Sequence, residues 1–177
     1  PQPKGALGLA LVSMLLLLLG TVAGALVAIT PLELRQSSAA VEGQFVLVLA
    51  AGLGALVAAL AYWGPKMTGR RATDAPAKLA APVVLGGGVL GGAALVVLGF
   101  GNRFTGLADA TDALIWVSIV GSLLLALGLV LALLGLLSGV RHSAPEAGAD
   151  PWGTGQTLEW KYASPPGDHD LGDLAVV

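Results

Sequence analysis

Charged side chains are sparse along this chain, and the gaps between them are long. No Asp, Glu, Lys or Arg occurs from Gly5 to Leu32, from Gly43 to Pro65, from Leu79 to Asn102 or from Ala113 to Val140. Each gap exceeds the ~20 residues that a helix needs to cross ~30 Å of hydrocarbon at ~1.5 Å per residue. The runs are apolar on every face and lack the alternation of a membrane β-barrel, so the pattern predicts membrane-spanning helices.

We therefore expect an all-α integral membrane protein with four transmembrane helices. Residues 1–140 would form the bundle, and residues 141–177 would form an extended tail. We expect Pro65 to end the second helix, because proline lacks the N–H that a helix interior needs. The first run is about twice as long as a signal-peptide core and lacks a clean cleavage pattern, which favours a membrane span over the alternative of a signal peptide. The four predicted spans are 6–29, 44–63, 82–100 and 113–137.

Composition removes several classes of chemistry. Only 11% of the 177 residues are charged, which is less than half the share in ordinary soluble domains. The absence of cysteine excludes disulfides, thiolate metal sites and iron–sulfur clusters. A net charge of −2 gives no reason to expect nucleic-acid binding. Proton pumps and redox proteins place ionisable residues within their spans, and this chain has none there, so we expect no catalytic centre. We expect the hydroxyls in the spans to bond back to the preceding helical turn; they are Ser13, Thr21, Ser118 and Ser122.

The distribution of basic residues predicts the orientation. If the first span starts inside, seven basic residues lie inside and two, Arg35 and Arg103, lie outside. This positive-inside bias predicts that both termini are cytoplasmic. Tyr62 and Trp63 close the second span and Trp116 opens the fourth, which fits aromatic residues at the membrane interface. The seven inner basic residues are Lys4, Lys66, Arg70, Arg71, Lys78, Arg141 and Lys161.

Small residues recur at helical spacings in all four spans, which is typical either of close helix packing or of a membrane composition rich in Gly and Ala. Their occurrence in every span favours a packed bundle. The sets are Gly20 with Gly24, Gly87 with Gly91, Gly88 with Gly92, the stripe Ala51, Ala55 and Ala59, and the series Gly121, Gly128 and Gly135.

Two polar segments are candidate contact surfaces. Lys66, Arg70 and Arg71 follow the second span, where they could hold lipid phosphates or a partner's carboxylates, or could only set the topology. The tail carries Trp152 and Trp160, which a purely disordered segment would rarely contain. We expect the tail to lie along a protein surface with its aromatic residues as anchors, and we expect His142 and His169 to be surface residues.

Four segments resemble one family. The tail segment Asp150-Pro-Trp-Gly-Thr-Gly-Gln-Thr-Leu-Glu-Trp160 closely resembles the C-terminal signature of subunit I of the haem-copper cytochrome c oxidases. Tyr62-Trp-Gly-Pro-Lys-Met-Thr-Gly-Arg70 resembles the loop after that subunit's tenth helix. Weaker matches are Pro31-Leu-Glu-Leu34 and Gly99-Phe-Gly-Asn-Arg-Phe104. The matches follow the family's order and spacing over residues 20–166, which implies the last four helices of subunit I.

The departures from this family lie at its haem site. The positions of the family's His-x-His haem ligands are Gly43 and Phe45, which cannot bind iron, and Asn102 replaces the first of two arginines, so that only Arg103 remains. The resemblance therefore implies shared shape without a haem site. We expect no cofactor bound by this chain, with haem and copper in partner subunits.

The implied function is a non-catalytic structural subunit of a respiratory cytochrome c oxidase, or of a supercomplex containing it. Expected partners are the catalytic oxidase subunits and membrane lipid, in the plasma membrane or an equivalent respiratory membrane. The alternatives are an oxidase assembly factor and a redox chain with unusual ligands. The predicted docking residues are Lys66, Arg70, Arg71, Arg103, Trp152, Glu159 and Trp160.

Overall fold

The computed structural model describes residues 3–104, 111–139, 144–153, 162–165 and 167. Five α-helices form within these residues, and the third continues through a π-helical turn at Val89–Ala93 into the fourth, so that the two make one span. Four spans are long and apolar enough to cross a membrane, as predicted. The helices are α1 (Lys4–Ala28), α2 (Ser38–Thr68), α3 (Asp74–Gly88), α4 (Ala94–Phe104) and α5 (Thr111–Ser138).

Helix α2 is longer than the predicted span 44–63 at both ends. The Ser37 side chain caps its start by accepting from the backbone N–H of Ala40, at 3.4 Å. At the other end the helix continues past Pro65, so the expectation that this proline ends it was wrong. Pro65 lies in the last turn, where its missing N–H costs one hydrogen bond. The helix ends instead at Gly69, which has φ +68° and donates its N–H to the Pro65 carbonyl.

Glycines lie where the helices approach most closely. A methyl group at Gly121 of α5 would meet the backbone of Leu90 and Gly91, and one at Gly87 of α3 would meet the backbone of Leu125. On the other side of the third span, Gly92 faces α2 at Leu47. The glycine spacings therefore mark contacts between helices of this chain, because a backbone without side chains allows the axes to approach.

The buried core is small and lies along the middle of the bundle. Its larger members come from different helices: Leu9 and Leu16 from α1, Leu47 from α2 and Val84 from α3. Many other large apolar side chains point away from the core, and Trp116 of α5 is 66% exposed. This surface suits hydrocarbon, in which an exposed apolar side chain carries no penalty.

The hydroxyl groups in the spans divide into two types. Ser13 and Thr21 donate to the carbonyls of Leu9 and Leu17, both at 2.8 Å, as expected for hydroxyls that bond back to the preceding turn. Ser118 differs, because its hydroxyl donates across the bundle to the Gly91 carbonyl at 2.8 Å. This bond ties α5 to the π turn of the third span.

One end of the bundle is closed by polar contacts. Helices α1 and α3 begin here and α2 and α5 end here, and we call it the loop end. The Asp74 carboxylate accepts from the backbone N–H of Gly5 at 2.9 Å and pairs with Lys78 at 2.9 Å. The Ser138 hydroxyl accepts from the backbone N–H of Thr73, also at 2.9 Å. The bonds donated by Gly5 and Thr73 join α1 to α3 and α3 to α5. Both donors are backbone N–H groups at the start of a helix, where no partner is available within the helix.

Candidate functional site

The segment after α2 pairs with the first part of the tail at the loop end. The backbone N–H of Arg71 donates to the Pro145 carbonyl at 2.8 Å, and the N–H of Ala147 donates to the Gly69 carbonyl at 2.9 Å. These two bonds form a short antiparallel bridge. We call the contact of residues 62–71 with residues 144–153 and 162–165 the loop–tail junction.

The three cations of the loop donate to backbone carbonyls of the tail. Lys66 Nζ donates to the Tyr162 carbonyl at 2.6 Å, Arg70 Nη1 to that of Ala144 at 3.2 Å, and Arg71 Nη2 to that of Pro151 at 2.5 Å. Lys66 is only 7% exposed, so its ammonium group lies largely beneath the tail. Hydrogen bonds from charged donors are stronger than neutral ones, which makes these three bonds a specific fastening for the tail.

Trp152 is an apolar anchor in the described part of the tail. It is 7% exposed, its ring stacks on that of Tyr62 with centroids 6.3 Å apart, and its indole Nε1 donates to the Tyr62 carbonyl at 3.0 Å. The Asp150 carboxylate accepts from the backbone N–H groups of Trp152 and Gly153, at 3.1 and 2.8 Å. This Asx turn across Pro151 directs the indole ring towards the bundle.

Trp152 also covers the loop end of the helix bundle. A void of about 20 Å³ beside it is lined by Ala6 of α1, Ala61 of α2, Asp74 of α3 and Leu136 of α5. One tail residue therefore lies next to all four spans at the point where they converge. The arrangement couples the position of the tail to the packing of the bundle.

The polar chemistry of the junction is that of a docking surface. Its acceptors are mainly backbone carbonyls, and its donors combine Lys and Arg side chains with the Trp152 indole and backbone N–H groups, so it can hold a peptide segment in one register. An open depression of about 580 Å³ adjoins it, lined in part by Arg70, Glu146 and Ser164. The Ser164 hydroxyl and Arg71 Nε are buried and have no hydrogen-bond partner among the described residues. Among the described residues no cluster of His, Asp and Glu has the composition of a metal site.

The structure brings together four of the seven predicted docking residues: Lys66, Arg70, Arg71 and Trp152. They meet within one chain, whereas the sequence alone left lipid phosphates, a partner's carboxylates or a purely topology-setting role for the cations. Arg103 lies in α4 at the other end of the bundle, and its side chain is outside the described part. Glu159 and Trp160 lie outside the described residues, as do His142 and His169.

Gly43 and Phe45, which the sequence resemblance aligned with haem-ligand positions, have different surroundings. Gly43 is buried, and a methyl group there would meet the Gly92 carbonyl and the backbone of Val96. No side chain fits at this position without moving α2 away from the third span. Phe45 is 64% exposed and points away from the core.

Sequence reasoning missed two partners within the junction. Tyr62, which the sequence places at the membrane interface, is the ring on which Trp152 stacks. Asp150 forms the turn that presents Trp152, and the order Asp-Pro-Trp-Gly could have indicated it, because Asp, Pro and Gly are typical turn residues. No protein-family model matches this sequence.

Proposed function

We propose that this chain is a non-catalytic structural subunit of a respiratory cytochrome c oxidase, or of a supercomplex containing one. It would pack as a degenerate copy of subunit I against the catalytic subunits and take part in aerobic electron transport only through them. Its membrane would be the plasma membrane or an equivalent respiratory membrane. The loop end would face the cytoplasm, because the basic residues are concentrated there.

One observation carries the proposal. The two segments with the most specific resemblance to subunit I begin at Tyr62 and at Asp150, and they contact each other. Trp152 stacks on Tyr62 and donates to its carbonyl, and Arg71, directly after the first segment, donates to the Pro151 carbonyl. The contacts between them join residues 80 and 90 positions apart in the chain, so nothing local forces the segments together. Their joint occurrence is explained if the chain has kept the fold of subunit I, including the contact between these two segments, while the haem ligands are lost.

The surroundings of Gly43 support a non-catalytic role. The position where the family carries a haem-ligating histidine is occupied by the close approach of α2 to Gly92. A histidine in its place would overlap the backbone of the third span. We therefore propose that haem and copper reside in the partner subunits.

The junction also suggests how the predicted docking residues act. Lys66, Arg70 and Arg71 hold the tail, and the outer surface of the tail would then contact the catalytic subunits. Met67 is 67% exposed within the same turn and offers a flexible apolar contact of the kind enriched at interfaces. Arg103, Glu159 and Trp160 are proposed as further contacts of this interface.

The test is co-purification of the native complex. The tagged chain is isolated in mild detergent, and its companions are identified and counted by mass spectrometry. We expect the catalytic oxidase subunits in equal amounts. Met67→Ala should lower their recovery severalfold, whereas Met14→Ala, at an equally exposed methionine of α1, should not. Absence of oxidase subunits under conditions that keep other small subunits bound would refute the proposal.

Two other functions give different results in the same preparation. An assembly factor would be substoichiometric in the mature oxidase and enriched with a subunit I that lacks haem. A redox chain with unusual ligands would show haem bands in reduced-minus-oxidised spectra of the isolated polypeptide. Either result would replace the structural role.

A further inference from the structure

An apolar groove runs along the surface between α1 and α2. Its volume is about 590 Å³, and it extends from Pro3 to Leu17 on α1 and from Val48 to Trp63 on α2. Its floor on α2 is the predicted stripe of small residues, Ala51, Ala55 and Ala59. The stripe is therefore not fully covered by the helices of this chain, and α1 packs beside it.

The length of the groove suits an acyl chain of one bilayer leaflet. Fourteen helical steps from Pro3 to Leu17 correspond to about 21 Å, which exceeds the ~15 Å depth of the hydrocarbon in one leaflet. The groove is open along one side, and its volume is that of a shallow channel and not of a closed cavity. A single polymethylene chain can lie along this channel, and a polypeptide segment is the alternative that the experiment below distinguishes.

The loop end of the groove is suited to an anionic headgroup. Lys4 directly follows Pro3, is exposed, and has no ion-pair partner among the described residues. The Asp74 carboxylate already accepts the N–H of Gly5 at the start of α1, so the positive charge offered to a headgroup here is that of Lys4 and not that of the helix end. Tyr62 and Trp63 line the same end, where amphipathic rings favour the headgroup region.

We propose that the groove between α1 and α2 binds one acyl chain of an anionic phospholipid, whose phosphate is attracted by Lys4. The occupant is a lipid of the surrounding bilayer. The groove gives the acyl chain a continuous apolar wall of small residues, and the cation distinguishes lipids by headgroup charge. The site depends only on insertion of the chain in a membrane, so it stands or falls independently of the proposed oxidase role.

Native mass spectrometry of the full chain in detergent tests the proposal, with phosphatidylglycerol and phosphatidylcholine of the same acyl composition as probes. Ala55→Trp would fill the groove, and the loss of about ten carbon–carbon contacts should weaken phosphatidylglycerol binding about tenfold. Ala126→Trp is the matched control at an exposed alanine of α5 outside the groove. Lys4→Gln should weaken binding about fivefold, whereas Arg35→Gln, at an exposed cation of the other end, should not.

Three outcomes would overturn the proposal. Equal retention of lipid by Ala55→Trp and Ala126→Trp would show that the groove is not the site. Equal binding of the two phospholipids by the unaltered chain, or no effect of Lys4→Gln, would remove the headgroup selectivity. A polypeptide segment found in the groove of a native complex would identify a protein as its occupant. Co-purification of the oxidase answers a separate question and does not decide this one.

Discussion

Replacement of Trp152 by alanine should release the tail while leaving the bundle folded. Trp152 is almost fully buried, stacks on Tyr62 and donates its indole N–H to the Tyr62 carbonyl. Truncation of a buried aromatic residue to alanine lowers stability by about 3–5 kcal/mol, and we use the lower value because Trp152 lies at the end of the bundle. A loss of about 3 kcal/mol corresponds to roughly 150-fold more frequent opening of the loop–tail junction. The helices keep their own contacts, so they should not unfold.

Hydrogen exchange of the chain in lipid nanodiscs measures this opening. The reporter groups are the backbone N–H of Ala147, bonded to the Gly69 carbonyl, and that of Arg71, bonded to the Pro145 carbonyl. Both should exchange up to about 150-fold faster in Trp152→Ala and about fivefold faster in Trp152→Phe, which keeps the stacking and loses a hydrogen bond of about 1 kcal/mol.

Trp116→Ala is the control, because this tryptophan lies on the exposed face of α5. It should leave exchange at both reporter groups unchanged. Exchange in Trp152→Ala within about twofold of the unaltered chain would refute the reasoning, since a twofold change corresponds to only about 0.4 kcal/mol.

Three further substitutions test the packing, each by thermal unfolding in detergent followed by circular dichroism unless stated. Gly121→Ala should destabilise the bundle by about 1–3 kcal/mol, because the added methyl group meets the backbone of the third span. Gly52→Ala is the control and should not destabilise the bundle, because there is open space around Gly52. Equal effects of the two substitutions would contradict the packing described. Ser118→Ala should cost about 0.6 kcal/mol through loss of the bond to the Gly91 carbonyl, and a gain in stability would contradict this. Gly69→Ala should speed hydrogen exchange at the loop–tail junction about fivefold or more, because Gly69 has φ +68° and lies close to Ser164 and Pro165. Unchanged protection of the junction from exchange would refute this prediction.

The sequence was sufficient to predict the spans because helices of soluble proteins rarely run for 20 or more residues without a charge on any face. Their ends depend on local chemistry that hydropathy does not report, as at Gly69, where a left-handed residue ends α2 one turn after Pro65. The π turn at Val89–Ala93 was not predicted, since a glycine-rich run is compatible with either type of helical turn. The position of Tyr62 beneath Trp152 required the fold, because 90 residues separate the two.

The sequence predicted which residues form the candidate site but not which residues they contact. Lys66, Arg70 and Arg71 stood out because cations beside an apolar span are conspicuous, but charge alone does not specify its counterpart. In the structure the counterparts include neutral backbone carbonyls of the same chain, which carry no signature in the sequence. The groove between α1 and α2 was likewise hidden, because small residues at helical spacing line both filled and open surfaces.

The π turn has a consequence for the register of the third span. A π turn contains one residue more than an α turn, so it rotates everything that follows by about 100° relative to an uninterrupted helix. Gly99 of α4 faces Ala40, and without this rotation it would point in a different direction. Deletion of one residue between Val89 and Ala93 would restore a regular helix and turn a bulkier neighbour towards α2. The length of this short segment therefore determines which side of α4 meets the rest of the molecule.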